Sequence, residues 1–490
     1  MADQTDDWST ESNDALQISI VAPDVGAART LHTFNPKMTY SIFGDDERIF
    51  GYKGLKINLR YNASDMRPNL QVSYSKKFTA VGETEATDVK ELLEPFLPKL
   101  AFEKPSVFDK AITDPISKDW KPPGQLWQTI DAGSQILEIW KGNLADVAVQ
   151  QLLKRIQILV PLFIEGGTII ALDEPEWTLE RWTVFFYYQK DESKDLNPYA
   201  FMGYSTVYRY FHFQAVTNQP GSKKEAKADF TLPLDNISFS SLPCRSRISQ
   251  FVILPPFHGS GYGSRFYNSI FDFYLAEPET VEITVEDPNY AFDDMRDIND
   301  LARLRTLPEF KSIKINDQIT PQLDEAIPSN IVDLPALEKI RKKMKIAPRQ
   351  FLRVVEMHLL AYIPKAVRKA DVLDKSSPKS REFGLWQLWV KKRLYKHNKE
   401  LLSQMEKEER LDKLDEVLQG VVEDYGRLLS TYKERVGYDS HGKMTVIEKG
   451  KGKERATAST SAVSNGKRPS PVVDDDDSES GEPLPKRPKV

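Results

Sequence analysis

The sequence predicts an α+β protein built from three regions of different pattern. Between residues 17 and 320, short runs rich in β-branched and aromatic residues alternate with stretches of helical hydrophobic spacing. Residues 321–436 are strongly charged and helical, almost without strand signal. Residues 439–490 contain no Phe, Trp or Tyr, so they cannot bury enough apolar surface to offset the entropy of ordering. We therefore predict a disordered tail over residues 437–490.

Composition excludes several classes of protein. The 490 residues suggest two to four domains, and a hydrophobic content of 40% is enough for a buried core. The net charge of -5 argues against a large nucleic-acid-binding face. One cysteine, Cys244, cannot form an internal disulfide or a multi-cysteine zinc site, so we expect no metal. Neither a membrane-length apolar run nor a secretory signal is evident, and we expect a soluble intracellular protein.

The first part of the chain predicts an acidic arm and an α/β lobe. Residues 1–16 contain five acids and no Lys or Arg, which favours a mobile arm. Strand signals follow at 16–22, 54–61 and 70–78. We assign residues 17–140 to an N-terminal α/β lobe.

The middle part, residues 141–320, predicts the domain that carries the chemistry. Residues 145–165 keep helical spacing, whereas 182–189 and 250–256 read as strands. The Pro-rich stretch 117–127, just before this domain, reads as a loop.

The helical part, residues 321–436, contains a seam that resembles a coiled coil. Its apolar residues alternate steps of three and four: Leu411, Leu414, Leu418, Val421, Tyr425 and Leu428. Residues 385–405 form a second predicted helix, and we expect it to be the antiparallel partner. A hairpin packed within the chain is favoured over a dimerisation zipper because the seam is shorter than three heptads.

The most informative stretch runs from Arg247 to Tyr267. It predicts a strand to about Leu254, a glycine turn over HGSGYG (258–263) and a helix over 264–275. Free backbone N–H groups at such a helix N-terminus bind anions, and glycines let a phosphate approach the backbone. The turn lacks the GK[ST] of a P-loop and fits G-x-G-x-x-G poorly.

The turn resembles Q/R-x-x-G-x-G/A, the pyrophosphate loop of GNAT acyltransferases, with His258 at the first position. Together with FGDDERIFGYKGLKI (43–57), LFIEGG (162–167), GYSTVYRY (203–210) and VEITVEDPNYAFDDMRDINDL (281–301), it resembles the catalytic subunit of fungal type B histone acetyltransferases. This resemblance covers residues 15–320 well and the helical region loosely. It implies a GNAT fold between an N-terminal α/β lobe and a C-terminal helical lobe. It also implies acetyl transfer from acetyl-CoA to tail lysines of newly made histone H4.

Three carboxylates are candidate catalytic residues. Acetyl transfer to a lysine requires a base because the ammonium form dominates near neutral pH. The resemblance makes Glu286, in the EDP motif, the general base. Asp287 beside it and Glu165 in LFIEGG are the further candidates. Because Cys244 lies before the cofactor strand rather than at its end, we expect direct attack by the amine without an acyl-enzyme.

The resemblance also assigns contacts to acetyl-CoA. Backbone contacts to the pantetheine arm are expected at Phe251, Val252 and Ile253. The expected pyrophosphate cradle is His258, Gly259, Ser260, Gly261, Tyr262, Gly263 and Ser264, with Asn289 near the cofactor. His258 stands where the family usually has Gln or Arg, so only its backbone role is carried over.

Two segments resemble the family's surface for the histone tail. They are Asp45, Asp46 and Glu47 in the first and Tyr208, Arg209 and Tyr210 in the second. Taken alone, GDDE is equally typical of a turn, and VYRY of a strand with packed tyrosines. The resemblance further implies a WD-repeat β-propeller histone chaperone as partner and roles in DNA repair and telomeric silencing.

Two other functions stay open at the level of sequence. One is a GNAT that acts on another amine, such as a polyamine. The other is a non-catalytic, histone-binding chaperone subunit, against which the glycine turn and Glu286 argue. The tail carries basic clusters at 467–468 and 486–489, which predict nuclear import, and we expect the protein in nucleus and cytoplasm.

Overall fold

The computed structural model describes residues 8–24, 28–133, 135–192, 197–211, 241–321, 326–369, 377–438 and 444–446. The chain divides into two compact units. The first contains the residues up to Asn299 and the segment Arg341–Pro348. The second contains Asp300–Ile340 and the residues from Arg349 onward. No helix in these described ranges is long and apolar enough to span a bilayer.

The strands, in chain order, are β1 (Ser9–Glu11), β2 (Leu16–Pro23), β3 (Ala28–Phe34), β4 (Arg48–Phe50), β5 (Tyr52–Lys53), β6 (Lys56–Asn62), β7 (Pro68–Ser73), β8 (Lys76–Lys77), β9 (Gln125–Asp131), β10 (Ile136–Asn143), β11 (Trp182–Lys190), β12 (Tyr199–Phe211), β13 (Cys244–Ile253), β14 (Thr280–Val285), β15 (Val436–Tyr438) and β16 (Met444–Val446).

The α-helices, in chain order, are α1 (Ser12–Ala15), α2 (Tyr40–Phe43), α3 (Val89–Leu93), α4 (Pro105–Thr113), α5 (Val147–Ile156), α6 (Leu159–Phe163), α7 (Glu176–Leu179), α8 (Tyr262–Ala276), α9 (Tyr290–Leu304), α10 (Pro308–Lys311), α11 (Leu334–Met344), α12 (Pro348–Leu360), α13 (Lys365–Arg368), α14 (Pro378–His397), α15 (Lys399–Ser403) and α16 (Lys407–Arg435).

The N-terminal lobe is built on a four-stranded sheet in the order β3-β2-β6-β7. Strand β2 pairs in parallel with β6, from Leu16 opposite Ile57 to Val21 opposite Asn62, and β7 pairs antiparallel with β6. Strand β2 is almost continuously buried, as expected for a central strand. The strands predicted at 16–22 and 54–61 are confirmed, and the one predicted at 70–78 is divided between β7 and β8.

The prediction of a mobile arm over residues 1–16 is wrong for the described part, which begins at residue 8. Strand β1 pairs antiparallel with β4, and α1 follows it directly. Ser12 is fully buried and hydrogen-bonds to Thr39 Oγ1 at 2.6 Å and to the Glu47 carbonyl at 2.7 Å. The acidic composition predicted exposure, but partners more than 25 residues away fix this segment.

The central sheet has six strands in the order β14-β13-β12-β11-β10-β9. All neighbours are antiparallel except β13 and β14, which are parallel and are joined through helix α8. A mainly antiparallel sheet with one parallel strand–helix–strand unit at its edge is the α+β architecture expected of a GNAT domain. The helix predicted over 145–165 is confirmed as α5 and α6, and that over 264–275 as α8.

The predicted boundary between residues 140 and 141 falls inside strand β10. Moreover, the lobe and the central sheet contribute side chains to one hydrophobic cluster, which includes Leu59 from β6, Leu152 from α5 and Val252 from β13. The two regions therefore form one compact unit. The sequence pattern of the strands could not reveal the shared core. Apolar and polar residues alternate in the same way in a sheet that shares its core with another sheet and in one that does not.

In the second unit, α14 and α16 form the predicted antiparallel hairpin. Trp386 contacts Tyr425, whereas Lys391, further along α14, pairs with Asp415, which comes earlier in α16. The seam is largely as predicted, but Leu411 is 48% exposed. The buried face of α16 consists of Leu414, Leu418, Val422, Tyr425, Leu428, Leu429 and Tyr432.

The predicted limits of the helical region also shift. The first unit ends at Asn299, inside α9, rather than at residue 320, and Arg341–Pro348 returns to it. The segment Arg341–Pro348 is tied to the first unit at β14, where the Ile283 amide donates to the Lys345 carbonyl at 2.7 Å. At the other end, β15 and β16 pair antiparallel within the predicted tail. The remainder of the predicted disordered tail, from residue 447, lies outside the described residues.

Candidate active site

The candidate site begins where strands β13 and β14 separate. Their parallel pairing runs from Cys244 opposite Thr280 to Ile248 opposite Val285, and the Glu286 amide then donates to the Ile248 carbonyl at 2.9 Å. Strand β13 continues to Ile253, still paired with β12. Among the described residues, no strand continues beside β13 on the β14 side after this point. The fork leaves a backbone edge next to Glu286.

The predicted pantetheine contacts lie on this continuing part of β13. The Phe251 side chain packs against Phe266 and Phe292, with ring centroids 5.2 and 5.1 Å away, while Val252 is buried in the core shared with the lobe. These side chains are therefore used for packing. Any contact to a ligand at Phe251, Val252 and Ile253 has to come from the backbone, as the prediction requires.

The glycine turn leads directly into helix α8. Gly259 and Gly261 have positive φ angles of 81° and 77°, a region that favours glycine. Gly261 precedes the first residue of α8 and has no side chain with which to cap the helix. A Cβ at Gly263 would lie 3.2 Å from Met295 Sδ, so there is little room for a side chain at this position. A helix N-terminus behind two glycines with positive φ fits a pyrophosphate.

Other residues of the predicted cradle have partners within the protein. His258 Nε2 lies 2.7 Å from the Ile253 carbonyl, so its imidazole folds back onto the end of β13. Ser264 Oγ accepts a hydrogen bond from Asn299 at 3.0 Å, and the Tyr262 hydroxyl bonds to Gln135. Ser260 is exposed. The cradle prediction is compatible with this geometry through backbone amides, and His258 has a structural role.

Asn289 also has a structural role. Its side-chain oxygen accepts a hydrogen bond from the Phe292 amide at 3.0 Å, and its carbonyl accepts one from Asp293. This is the geometry of an N-cap on α9. The side chain is exposed, and its predicted place near the cofactor stays a prediction.

Glu286 is held at the fork by its side chain as well as its backbone. The Ser249 hydroxyl donates to Glu286 Oε2, and Arg247 Nη1 lies 4.0 Å from Oε1. The Glu286 side chain is 45% exposed, so a substrate can reach it. The neighbouring Asp287 is exposed and has a positive φ of 32°. Such a backbone conformation is strained for a residue with a side chain, and strain of this kind is enriched at functional sites.

Glu165 lies in the loop that follows α6 and is exposed. Two hydrogen bonds fix this loop: the Gly166 amide donates to the Tyr40 hydroxyl at 2.8 Å, and Gln250 Nε2 donates to the Thr168 carbonyl at 2.9 Å. The second bond ties the loop to β13 one residue after Ser249. The structure thus attaches the segments of Glu165 and Glu286 to the same short stretch of β13.

The acidic run at 45–47 is a turn with two different kinds of carboxylate. The Glu47 amide donates to the Gly44 carbonyl at 2.9 Å, and Asp45 and Asp46 are exposed at the centre of this turn. In contrast, the Glu47 carboxylate accepts from the Thr39 and Tyr40 amides and from Asn13 Nδ2. Of these three residues, only Asp45 and Asp46 have exposed side chains that a substrate can contact. Glu47 caps α2.

The side chains of the second predicted substrate segment, on β12, alternate between the two faces of the sheet. Tyr208 stands opposite Arg247, and the Arg247 guanidinium lies over the ring of Tyr210, 5.2 Å from its centroid. Both tyrosines therefore lie on the face of the sheet that carries Arg247, the neighbour of Glu286. Arg209 lies on the other face, where it pairs with Glu277. The prediction for Tyr208 and Tyr210 is compatible with this arrangement. That for Arg209 is not, because its guanidinium faces away from Glu286.

On the face of Arg209 there is a cleft of about 530 Å³. It lies at the C-terminal end of α8, away from the glycine turn. Its lining includes Lys141, Arg181, Arg209, Phe273 and Glu277. Burial lowers the pKa of Lys141. No sequence pattern indicates this cleft, since its lining comes from five separate segments.

Sequence reasoning also missed Ser249 and Tyr40. Ser249 contacts the predicted base, and Tyr40 links the turn at 44–47 to the loop of Glu165. Serine and tyrosine are common residue types, so neither position stands out without the fold.

Comparison with known proteins adds independent findings. The family model described as Histone acetyl transferase HAT1 N-terminus matches residues 8–165, and that described as Fungal HAT1, C-terminal, matches residues 297–363. A protein of Gibberella zeae named Histone acetyltransferase type B catalytic subunit is 46% identical over 462 residues, covering 92% of this chain and 96% of the relative. A Neurospora crassa protein of the same name is 43% identical, covering 94% of each chain.

A solved structure of an aminoglycoside acetyltransferase in complex with sisomicin, from an uncultured soil metagenomic sample, aligns with 39% of this chain and 95% of its own. The identity is 15% and the TM-score 0.20, which is too low to support an argument.

Proposed function

Because the chain belongs to the family of histone acetyltransferase type B catalytic subunits, we propose that it acetylates N-terminal-tail lysines of newly synthesised free histone H4. Histone acetyltransferase activity is the function that its relatives' names give, and they align with nearly the whole chain. The relatives' names do not specify which histone is acetylated, which residue is the base or in what order the steps occur. For these points the proposal depends on the geometry of the site.

The observation that carries the mechanism is Glu286 at the fork of β13 and β14. Acetyl-CoA, when bound, supplies an acetyl group activated as a thioester. A lysine side chain is mostly protonated near neutral pH, so a carboxylate must accept a proton from it before it can attack. Glu286 is accessible, and its backbone is fixed by the bond to Ile248. We assign it the general base, with Asp287 and Glu165 as alternatives.

The acetyl donor is held mainly by backbone groups. The backbone amides at the start of α8 suit a pyrophosphate, and the edge of β13 from Phe251 to Ile253 suits the amide groups of a pantetheine arm. Because the amine attacks directly, no enzyme nucleophile is required. Cys244 is fully buried, and burial raises the pKa of its thiol, both of which oppose a role as nucleophile.

The acceptor tail is basic, and the surface features near the base suit it. Asp45 and Asp46 provide exposed negative charge, and Tyr208 and Tyr210 provide rings on the face of Glu286. Exposed carboxylates steer a flexible basic peptide without fixing one register.

The proposal also includes a partner protein and a location in the cell. We infer a WD-repeat β-propeller histone chaperone as partner, because a free histone has to be kept soluble and presented. We also infer that the protein occurs in nucleus and cytoplasm, with nuclear import directed by the basic clusters at 467–468 and 486–489. Roles in DNA repair and telomeric silencing belong to the same inference.

The test is transfer of radiolabelled acetyl groups by the full chain to a histone mixture, with a polyamine as the control amine. We expect label on histone H4 and little on the polyamine. Glu286→Gln should lower turnover by about 10²–10⁴-fold, the usual contribution of a general base, while acetyl-CoA binding measured by calorimetry stays unchanged.

Other outcomes would assign other functions. Label mainly on the polyamine would overturn the histone substrate, and label on another histone would overturn histone H4. Near-normal turnover of Glu286→Gln would move the base to Glu165 or Asp287.

A further inference from the structure

Ser249 occupies an irregular position in strand β13. In the pairing with β12, Thr206 stands opposite Gln250 and the next residue, Val207, stands opposite Ile248. Ser249 is therefore skipped, which makes it the extra residue of a β-bulge. Bulges are common beside active sites.

The Ser249 side chain contacts Glu286. Exposure alternates regularly along β13, so Ser249 lies on the same face as Arg247, which is also beside Glu286. The Ser249 hydroxyl donates to Glu286 Oε2, across the point where β14 leaves β13. The other oxygen, Oε1, lies 4.0 Å from Arg247 Nη1, which is beyond hydrogen-bond distance.

We propose that Ser249 is a positioning residue for the general base: its hydroxyl holds Oε2 of Glu286 so that Oε1 faces the acceptor amine. This inference rests on the proposed function of Glu286. A half-exposed glutamate has several rotamers of similar energy, so without a partner it would spend only part of its time in the productive one.

The first test compares Ser249→Ala with the wild-type full chain, using a histone mixture and acetyl-CoA. We expect kcat to fall about tenfold, because a loosely held base is less often in reach of the amine. The KM for acetyl-CoA should not change. Ser249→Thr, which keeps the hydroxyl, should restore kcat to near the wild-type value.

A matched control is available on the same strand. The Ser246 hydroxyl also bonds across the β13–β14 pair, to Thr280 Oγ1 at 2.7 Å, but in the buried part and away from Glu286. Ser246→Ala should leave kcat within about twofold of the wild-type value. If Ser249→Ala does not fold, Ser249→Cys, which is nearly isosteric and a weak donor, takes its place.

The double variant distinguishes failure of this proposal from failure of the proposed function. If Glu286 is the base, adding Ser249→Ala to Glu286→Gln should cost nothing further, because the two residues act as one unit. Near-normal turnover of Glu286→Gln would overturn the role of Glu286, and with it that of Ser249. A severe defect in Glu286→Gln together with wild-type behaviour of Ser249→Ala would overturn only the positioning role.

Discussion

The turn Gly44–Glu47 contains three consecutive acidic residues whose carboxylates have different surroundings. Asp45 and Asp46 are exposed, whereas the Glu47 carboxylate is bonded to two backbone amides and Asn13. Replacement of all three at once would therefore mix a charge effect with damage to α2. Residue-scale tests have to treat the two kinds of carboxylate separately.

We expect the double variant Asp45→Asn/Asp46→Asn to raise the KM for a histone-tail peptide. Two exposed charges should together account for roughly a two- to thirtyfold change at low salt, and the effect should shrink as salt is added. The KM for acetyl-CoA serves as the internal control and should stay constant. An unaltered peptide KM at low salt would make the turn purely structural.

Glu47→Ala is the companion variant, and its effect should appear in stability. It removes the acceptor of the Thr39 and Tyr40 amides, so the free energy of unfolding should fall by about 0.5–2 kcal/mol, as for a lost helix cap, and the thermal midpoint should fall with it. The measurement is a thermal melt next to that of Asp45→Asn/Asp46→Asn, which should match the wild type.

Cys244 provides a residue-scale test of direct attack. The thiol is fully buried at the start of β13, and burial raises its pKa, which keeps it protonated and inert. Cys244→Ser should therefore retain turnover within a few-fold, as measured by acetyl transfer to histones. Abolished chemistry, together with an acetylated Cys244 trapped in the wild type, would contradict direct attack.

At the scale of elements, helices α12, α14 and α16 meet around a buried carboxylate. Glu356 on α12 is 1% exposed and accepts a bidentate pair from Arg393 at 2.6 and 2.8 Å and the Tyr425 hydroxyl at 2.8 Å. The Trp386 indole donates to the Glu356 carbonyl at 3.0 Å. The apolar seam thus explains only part of the hairpin's packing, and one polar cluster joins all three helices.

We expect Arg393→Met to be strongly destabilising, because it leaves the Glu356 charge buried without its partner. Loss of one member of a buried pair typically costs about 3–5 kcal/mol. Urea unfolding of the full chain, followed by the tryptophan signal, measures the change. Lys413→Met, which removes an exposed pair with Glu416 on α16, is the matched control and should cost no more than about 1 kcal/mol. Equal losses in the two variants would contradict the role of the cluster.

At the scale of the whole molecule, the proposed catalytic site and the proposed import signal lie in different parts of the chain. The fork, the glycine turn and both predicted substrate segments lie in the first compact unit. The basic clusters lie after residue 466. Activity in solution and location in the cell should therefore respond to different parts of the chain.

Deletion of residues 467–490 should lower nuclear accumulation and leave acetyl transfer in solution unchanged. Fluorescence imaging of the full and shortened chains in cells checks the first expectation, and the histone assay checks the second. Replacement of only the four basic residues at 467–468 and 486–487 by Gln is the finer variant and should have the same effect. Normal nuclear accumulation of the shortened chain would leave the tail with a solubilising role.

The sequence by itself determined the fold class, most strands and helices, the glycine turn and the family. These follow from local patterns: alternation in β11, helical spacing in α8 and α16, and glycines that alone adopt the φ values of the turn. The family resemblance depends on contiguous motifs, and such motifs are visible in one dimension.

Only the tertiary structure decided what individual polar side chains do. Glu47 is a cap because Asn13, 34 residues earlier, and α2 meet it. Arg209 faces away from Glu286 because the register of β12 puts it beside Glu277, 68 residues later. Ser249 reaches Glu286 because β14 ends beside this part of β13. Hydrogen bonds and ion pairs act over a few ångströms, so their partners are set by which distant segments the fold brings together, and a linear pattern does not contain that information.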